Sequence, residues 1–296
     1  MERNFKDIKL TVPWGHVAAK TYGLENEKRM LLVHGTLDNA GSFDRLVQYL
    51  PEDYYIVCID LPGHGFSSHF PGGTPLNFFN YVFAVSLVLD QLKWTNFIYI
   101  GHSLGAQIGV YYTSIYPRAV EKLILVDGLF PEAITNDILV PYMRKTFDST
   151  KEHLEKKNPY LYTKDEVLYS LSCLRFSALN TAAASALFNR GVTKVGDLYK
   201  YNRDSRLKHF LRPPMTIRQH AVFWANIHKP ILLIIASSTL RTLTTDTAIH
   251  GLDTIKKFSD LKIVTVNGNH DVHNNNPEKV APHICQFLDN NFKSKL

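Results

Sequence analysis

Short, unbroken apolar runs recur along the first part of the chain, and each stops at glycine, aspartate or histidine. Met30-Leu31-Leu32-Val33 ends at His34-Gly35, Tyr55-Ile56-Val57-Cys58-Ile59 ends at Asp60, and Phe97-Ile98-Tyr99-Ile100 ends at Gly101. A strand covered on both faces has no polar side to alternate with, so such runs suit the interior of a parallel sheet. Helical spacing fills the gaps between them. Phe43, Leu46, Val47 and Leu50 share one face of a helix over 42–50, and 77–92 is apolar and of helical length. Residues 106–116 predict a further helix and 122–126 a further strand. The start of the chain differs: 7–12 and 16–21 read as strands broken at Pro13-Trp14-Gly15, which predicts a hairpin.

The rhythm stops after Gly128. From 131 to 226 there is no continuous apolar strand-like run, and helical patterns such as 165–174 and 180–188 dominate. Strand–helix order resumes with a strand at Ile231-Leu232-Leu233-Ile234-Ile235. A helix over 248–258, a strand over 261–266 and a last helix over 277–290 follow. Alternating strands and helices imply right-handed crossovers, hence an α/β fold with a mostly parallel twisted sheet flanked by helices. The predicted division is a core from 1–130 and 227–296, with a helical cap inserted over 131–226.

Composition narrows the function classes. With 296 residues, 45% hydrophobic and 20% charged, the chain reads as an ordinary soluble globular protein. The net charge of +6 is spread along the chain with no basic run interleaved with aromatics, so no nucleic-acid partner is expected. The longest apolar run, 231–236, is too short for a transmembrane segment. Cys58, Cys173 and Cys285 are odd in number and form no C-x-x-C, so neither a disulfide framework nor a zinc site is expected. Reduced, mostly buried thiols are the expectation, and no motif calls for a cofactor or metal. Met1-Glu2-Arg3-Asn4 opens no apolar leader. Ser294-Lys295-Leu296 has the form of a peroxisomal address, so an import receptor is an expected partner. The expected location is the peroxisome, with the cytoplasm as alternative.

The candidate chemistry begins at Gly101-His102-Ser103-Leu104-Gly105, between an apolar strand and a helix. G-x-S-x-G in strand–turn–helix context presents a serine hydroxyl above a sheet edge on a strained turn, and neighbours without a side chain leave room for it. A serine hydroxyl needs a base to take its proton. His270 follows the last predicted strand and reaches the same edge; His273, inside an Asn-rich loop at 274–276, is the rival. The acid that orients the imidazole must also stand at that edge. Asp127 follows the strand 122–126 directly, whereas Asp246 needs a long loop, so Asp127 is preferred and Asp246 is the alternative. Oxyanion donors are expected from the N–H of Leu104 and of Thr36, after Gly35. His34 either orients that loop by a hydrogen bond or packs. Asp60-Leu61-Pro62-Gly63-His64-Gly65-Phe66-Ser67 reads as a structural turn, and His102 as a packing residue.

Val33-His34-Gly35, Asp60 to Ser67, Gly101 to Gly105 and Gly268-Asn269-His270-Asp271-Val272-His273 together resemble the α/β-hydrolase superfamily. Two cap stretches, Asn189-Arg190-Gly191-Val192-Thr193-Lys194-Val195 and Asn202-Arg203-Asp204-Ser205-Arg206-Leu207, are similar to those of serine hydrolase-like (kraken-type) proteins. The resemblance covers nearly the whole chain. It implies a hydrolase of unassigned physiological substrate, with some relatives associated with peroxisomes. It also implies no acid after the post-cap strand, which agrees with Asp127. The bland expectation for Asn202-Arg203-Asp204 is a salt-bridged hinge onto the core.

The reading is thus a serine hydrolase of carboxylic-ester type acting on a small or apolar acyl ester or thioester. Cap aromatics (Tyr142, Phe147, Tyr160, Tyr162, Tyr169, Phe176, Phe223, Trp224) suggest an apolar pocket. The alternative is a non-catalytic ligand-binding protein on the same scaffold. Deleting Leu296 from a tagged full-length chain should shift it from peroxisomes to the cytosol by fluorescence microscopy; an unchanged distribution contradicts the address.

Overall fold

β1 (Lys6–Val12) and β2 (Gly15–Tyr22) form the predicted antiparallel hairpin, with Lys6 opposite Thr21. β3 (Lys28–Val33), α1 (Asp44–Val47), β4 (Tyr54–Ile59), α2 (Phe78–Leu92), β5 (Phe97–His102), α3 (Leu104–Ile115) and β6 (Val120–Val126) follow. The intervening segment holds α4 (Asn136–Leu154), α5 (Lys164–Cys173), α6 (Thr181–Gly191), β7 (Val192–Val195), β8 (Leu198–Tyr201) and α7 (Ile217–Trp224). The chain closes with β9 (Ile231–Ala236), α8 (Asp246–Phe258), β10 (Leu261–Val266), α9 (Val272–Asn275) and α10 (Pro277–Asp289). The computed structural model describes residues 3–25, 28–154 and 160–289. The predicted last residue of the final helix, Asn290, and the address Ser294-Lys295-Leu296 lie outside the described residues.

One eight-stranded sheet runs in the order β1-β2-β4-β3-β5-β6-β9-β10. β1, β2 and β4 pair antiparallel in sequence, and every pairing from β4 through β10 is parallel. Successive side chains of a strand point to opposite faces, so each apolar run feeds two cores. Leu31, Val33, Val57, Tyr99 and Leu123 pack on one face with Tyr81, Val85 and Ile108 of α2 and α3. Met30, Leu32, Ile56, Ile98 and Ile124 pack on the other with Leu46 of α1 and Ile284 and Phe287 of α10. This is why the runs carry no polar alternation. Among the described residues no helix is long and apolar enough to cross a membrane.

Four local expectations change. The helix over 42–50 is instead a 3-10 turn, Ala40–Phe43, leading into the single turn of α1, because the Asn39 side chain accepts from Gly41 N–H (2.9 Å) and starts the turn early. The stretch 131–226 is not purely helical: β7 and β8 pair as a hairpin around Gly196, whose φ of 61° suits the tight turn. Its strands are short and mostly unburied, so they leave no apolar run. The Asn-rich loop at 274–276 is largely the helical turn α9, with Asn274 fully buried. The cysteines are free, but only Cys58 is buried; Cys285 is half-buried and Cys173 exposed.

Two buried ion pairs tie the inserted segment down. Arg190 of α6 reaches Asp60 (Nη2–Oδ2 2.8 Å), whose oxygens also accept from Ala40 N–H (2.7 Å) and Phe66 N–H (2.9 Å). Arg206 pairs with Asp204 (2.6 Å) and donates to the carbonyls of Phe70, Pro71 and Thr74, while Asp204 N–H donates to Gly63 O (2.7 Å). The hinge expected at Asn202-Arg203-Asp204 is therefore centred on Asp204 and Arg206. Removing one partner of a buried pair leaves an uncompensated charge, so Arg190→Met should cost about 3–5 kcal/mol. The check is the urea-unfolding midpoint at pH 7, which should fall clearly; an unchanged midpoint contradicts the pairing.

Candidate functional site

Ser103 stands between β5 and α3 with φ 51° and ψ −114°. Such a conformation costs a non-glycine residue on the order of 1–3 kcal/mol, so the surroundings must enforce it. They do so by close approach. A Cβ on Gly101 would come within 2.4 Å of Gly105 O, and one on Gly105 within 2.0 Å of Val33 O. With both side chains absent, β5 turns directly into α3 against the end of β3. Ser103 N–H donates to Val126 O (3.1 Å), and Ser103 O accepts from Gln107 N–H (3.1 Å).

His270 lies beyond β10, and its Nδ1 is 2.6 Å from Asp127 Oδ2. A carboxylate only accepts, so this contact assigns the ring proton to Nδ1 and leaves Nε2 as the acceptor. Asp127 leaves the end of β6 with φ 45°. Its other oxygen accepts from Ala236 N–H (2.7 Å) and the Thr239 hydroxyl (2.6 Å). The segment after β9 thus supplies donors to a carboxylate from β6. Asp246 is exposed at the start of α8 and makes no hydrogen bond to His270. Burial opposes charge on His270, but the hydrogen bond and carboxylate of Asp127 outweigh it, aided by Asp271 and Asp38, and hold its pKa above the usual value.

Ser103, Asp127 and His270 line one cavity of about 340 Å³ together with Thr36 and Leu104. The backbone N–H groups of Thr36 and Leu104 have no hydrogen-bond acceptor among the described residues. Two neutral histidines clamp the Thr36 loop. His34 Nδ1–H donates to Gly35 O (2.8 Å) while Nε2 accepts from Leu61 N–H (2.9 Å). His64 Nε2 accepts from Leu37 N–H (3.2 Å) while Nδ1–H donates to Pro62 O (3.1 Å). Burial pushes their pKa values down, to about 4 for His34 and about 3 for His64. His34 therefore orients the loop, and the turn 60–67 is its brace.

The eight cap aromatics named from the sequence do not build the cavity. None of Tyr142, Phe147, Tyr160, Tyr162, Tyr169, Phe176, Phe223 and Trp224 lines it; the inserted segment contributes Glu132, Leu207, Lys208, Phe210 and Arg212. Trp224 is fully buried and packs on Phe130 with ring centroids 4.4 Å apart, while Phe147, Tyr160, Tyr169 and Phe176 are exposed. Ring content reports how a cap packs as readily as what it binds. His273 is fully buried, its ring centroid 3.9 Å from that of His102 with the planes tilted by 34°, and is absent from the cavity wall. Burial and then the neighbouring histidines hold it well below the usual histidine pKa.

Behind His270 lies a cluster that residue-by-residue reading passed over. His102 does more than pack: its Nε2 donates to His270 O (2.9 Å), joining the residue beside Ser103 to the loop of the opposite partner. Oxygen and nitrogen atoms of Asp38, His102 and Asp271 gather within 4.8 Å of one another. The donor types would suit a cation, but Arg175 already supplies one, touching Asp38 Oδ1 (2.7 Å) and Asp271 Oδ1 (3.1 Å). Asp38 and Arg175 carry no motif and are far apart in sequence, so only the folded chain brings them together.

A family model for the α/β hydrolase fold matches residues 28–277. Serine hydrolase-like protein 2 of Homo sapiens is 33% identical, with 95% of this chain and 93% of that protein covered. Serine hydrolase-like protein of Mus musculus is also 33% identical, covering 95% of each. The crystal structure of a hypothetical protein from Pseudomonas aeruginosa PAO1 superimposes with a TM-score of 0.84 at 26% identity, covering 96% of this chain and 98% of that one.

A raised folded-state pKa means that protonated His270 stabilises the fold below its ordinary pKa of 6.5 and loses that contribution as pH climbs through the raised value. The imidazole should titrate by NMR above 6.5, and Asp127→Asn should bring the midpoint down. A midpoint that Asp127→Asn leaves in place contradicts the coupling.

Proposed function

Since this chain belongs to the α/β-hydrolase family, among serine hydrolase-like relatives, we propose that it cleaves a carboxylic ester or thioester through an acyl-enzyme on Ser103. The observation that carries the reading is the 2.6 Å contact between His270 Nδ1 and Asp127, with that imidazole and Ser103 on the wall of one cavity. Ser103 Oγ attacks the carbonyl carbon as its proton passes to His270 Nε2. Asp127 stabilises the imidazolium and keeps the ring in the required tautomer. Charge on the former carbonyl oxygen falls to the free N–H groups of Thr36 and Leu104, fixed donors that need no rearrangement. The tetrahedral species collapses with cleavage of the C–O or C–S bond, and His270 returns the proton to the departing alcohol or thiol. Water then attacks the acyl-enzyme, giving its proton to His270. Breakdown releases the acid and restores the Ser103 hydroxyl.

The cavity size favours a small acyl substrate. Its volume of about 340 Å³ is at the low end for ligand pockets. Leu129, Phe130, Leu207, Phe210 and Ile235 supply apolar wall, while Gln107, Thr242, Thr245 and Thr247 add polar groups and Glu132, Lys208 and Arg212 add charge. A short acyl chain with one polar group fits this mixture better than a long alkyl chain.

Steady-state hydrolysis of p-nitrophenyl acetate separates the candidate acids. Asp127→Asn should lower kcat by about 10⁴-fold, because the wrong tautomer then dominates, and Asp246→Asn should leave it near the wild-type value. The opposite ranking would transfer the role to Asp246.

A further inference from the structure

Arg175 belongs to the inserted segment, between α5 and α6, yet its guanidinium lies against the core. Nη1 donates to Asp38 Oδ1 (2.7 Å) and Nη2 to Asp271 Oδ1 (3.1 Å). Asp38 closes the turn that contains Thr36, through Asp38 N–H to Gly35 O (3.2 Å). Asp271 is the residue after His270. One side chain from the cap therefore spans the loop offering the Thr36 N–H and the loop bearing the base. We propose that Arg175 is a positioning residue: from the cap, it fixes the His270 loop against the Thr36 loop, so that base and oxyanion donor are in register only while the cap is seated. This rests on the hydrolase reading above.

The electrostatics agree with the geometry. The side chains of Asp38 and Asp271 are each only 1% exposed, and among the described residues no other lysine or arginine pairs with either. The remaining neighbour, His102 (Nδ1 to Asp38 Oδ2 3.8 Å), is pushed down to about 4 by burial and then His270, so it is neutral. Even with Arg175 present, burial and the Asp38 charge lift Asp271 to about 6. Without the guanidinium, two buried carboxylates would repel across the gap between the loops. The flanking cap chain is pinned to the same place. Asn269 Nδ2 donates to Ala178 O (2.8 Å), Asn180 N–H donates to Asn275 Oδ1 (2.9 Å), and the Phe176 ring lies edge-on to His270 at 5.7 Å. A merely structural ion pair could sit anywhere under the cap; this one joins the two loops whose spacing the reaction needs.

The test compares the full-length wild type with Arg175→Met, Arg175→Lys and the charge-matched double variant Arg175→Met, Asp38→Asn. It reads kcat and KM for p-nitrophenyl acetate and the NMR resonance of the His270 Nδ1 proton. A displacement of about 1 Å can cost on the order of 10²-fold, so Arg175→Met should lower kcat by about that factor. KM should stay close to wild type, and the His270 resonance should shift or broaden. Arg175→Lys, which keeps the charge, should recover part of kcat. The double variant, which removes the repulsion but not the missing bridge, should stay impaired. Wild-type kcat and an unmoved resonance in Arg175→Met would overturn the proposal, as would full recovery in the double variant. If the wild type itself turns over no ester, the hydrolase reading fails; the resonance in Arg175→Met, moved or unmoved, still decides whether Arg175 positions His270.

Discussion

The hydrogen bond between His270 and Asp127 joins residues 143 positions apart, and the rest of the site depends on it. It forms because a parallel sheet brings the carboxyl ends of its strands to one edge. β6, β9 and β10 are consecutive in the sheet, so a ring from beyond β10 must cross β9 to meet a carboxylate from β6. The end of β9 assists: Ala236 N–H and the Thr239 hydroxyl hold the far oxygen of Asp127, which leaves the near one aimed at His270. Ligand crevices of open α/β sheets lie at this same edge for the same topological reason.

Strain and order are balanced around Ser103. Its backbone conformation is unfavourable, and fully buried strands and a turn stripped of Cβ atoms at Gly101 and Gly105 hold it. The facing loop is ordered by His34 and His64, which hydrogen-bond both before and after Thr36 while remaining uncharged. Neutral clamps are consistent with the proposed acyl-transfer chemistry, in which fixed dipoles meet developing negative charge, since they add no mobile charge of their own. Arg175 carries the contacts on into the inserted segment, its guanidinium touching Asp38 and Asp271.

Features set by local chain chemistry are legible in the sequence. Val33, Ile59 and Ile100 announce buried strands because strands covered on both faces need unbroken apolar runs. Gly101 to Gly105 announces the elbow because only that composition permits the turn. Asp127 was reachable from its place at a strand end. Features made by distant residues were not legible. Asp38, Arg175 and Asp271 meet only after the cap folds back, and nothing periodic marks them. The β7–β8 hairpin escaped because its strands are short and largely exposed, although Gly196-Asp197 carries the turn chemistry. The cap aromatics misled because ring content is shared by packing and binding surfaces alike.

The central claim is that one bent backbone presents the Ser103 hydroxyl to an imidazole supplied from near the other end of the chain. Intact-protein and peptide mass spectrometry after exposure of the folded protein to a fluorophosphonate tests it most directly. A single adduct on Ser103, lost when His270 is replaced by alanine, is the result this account predicts. A correctly folded wild type that stays unlabelled, or that carries its adduct on another residue, would contradict it.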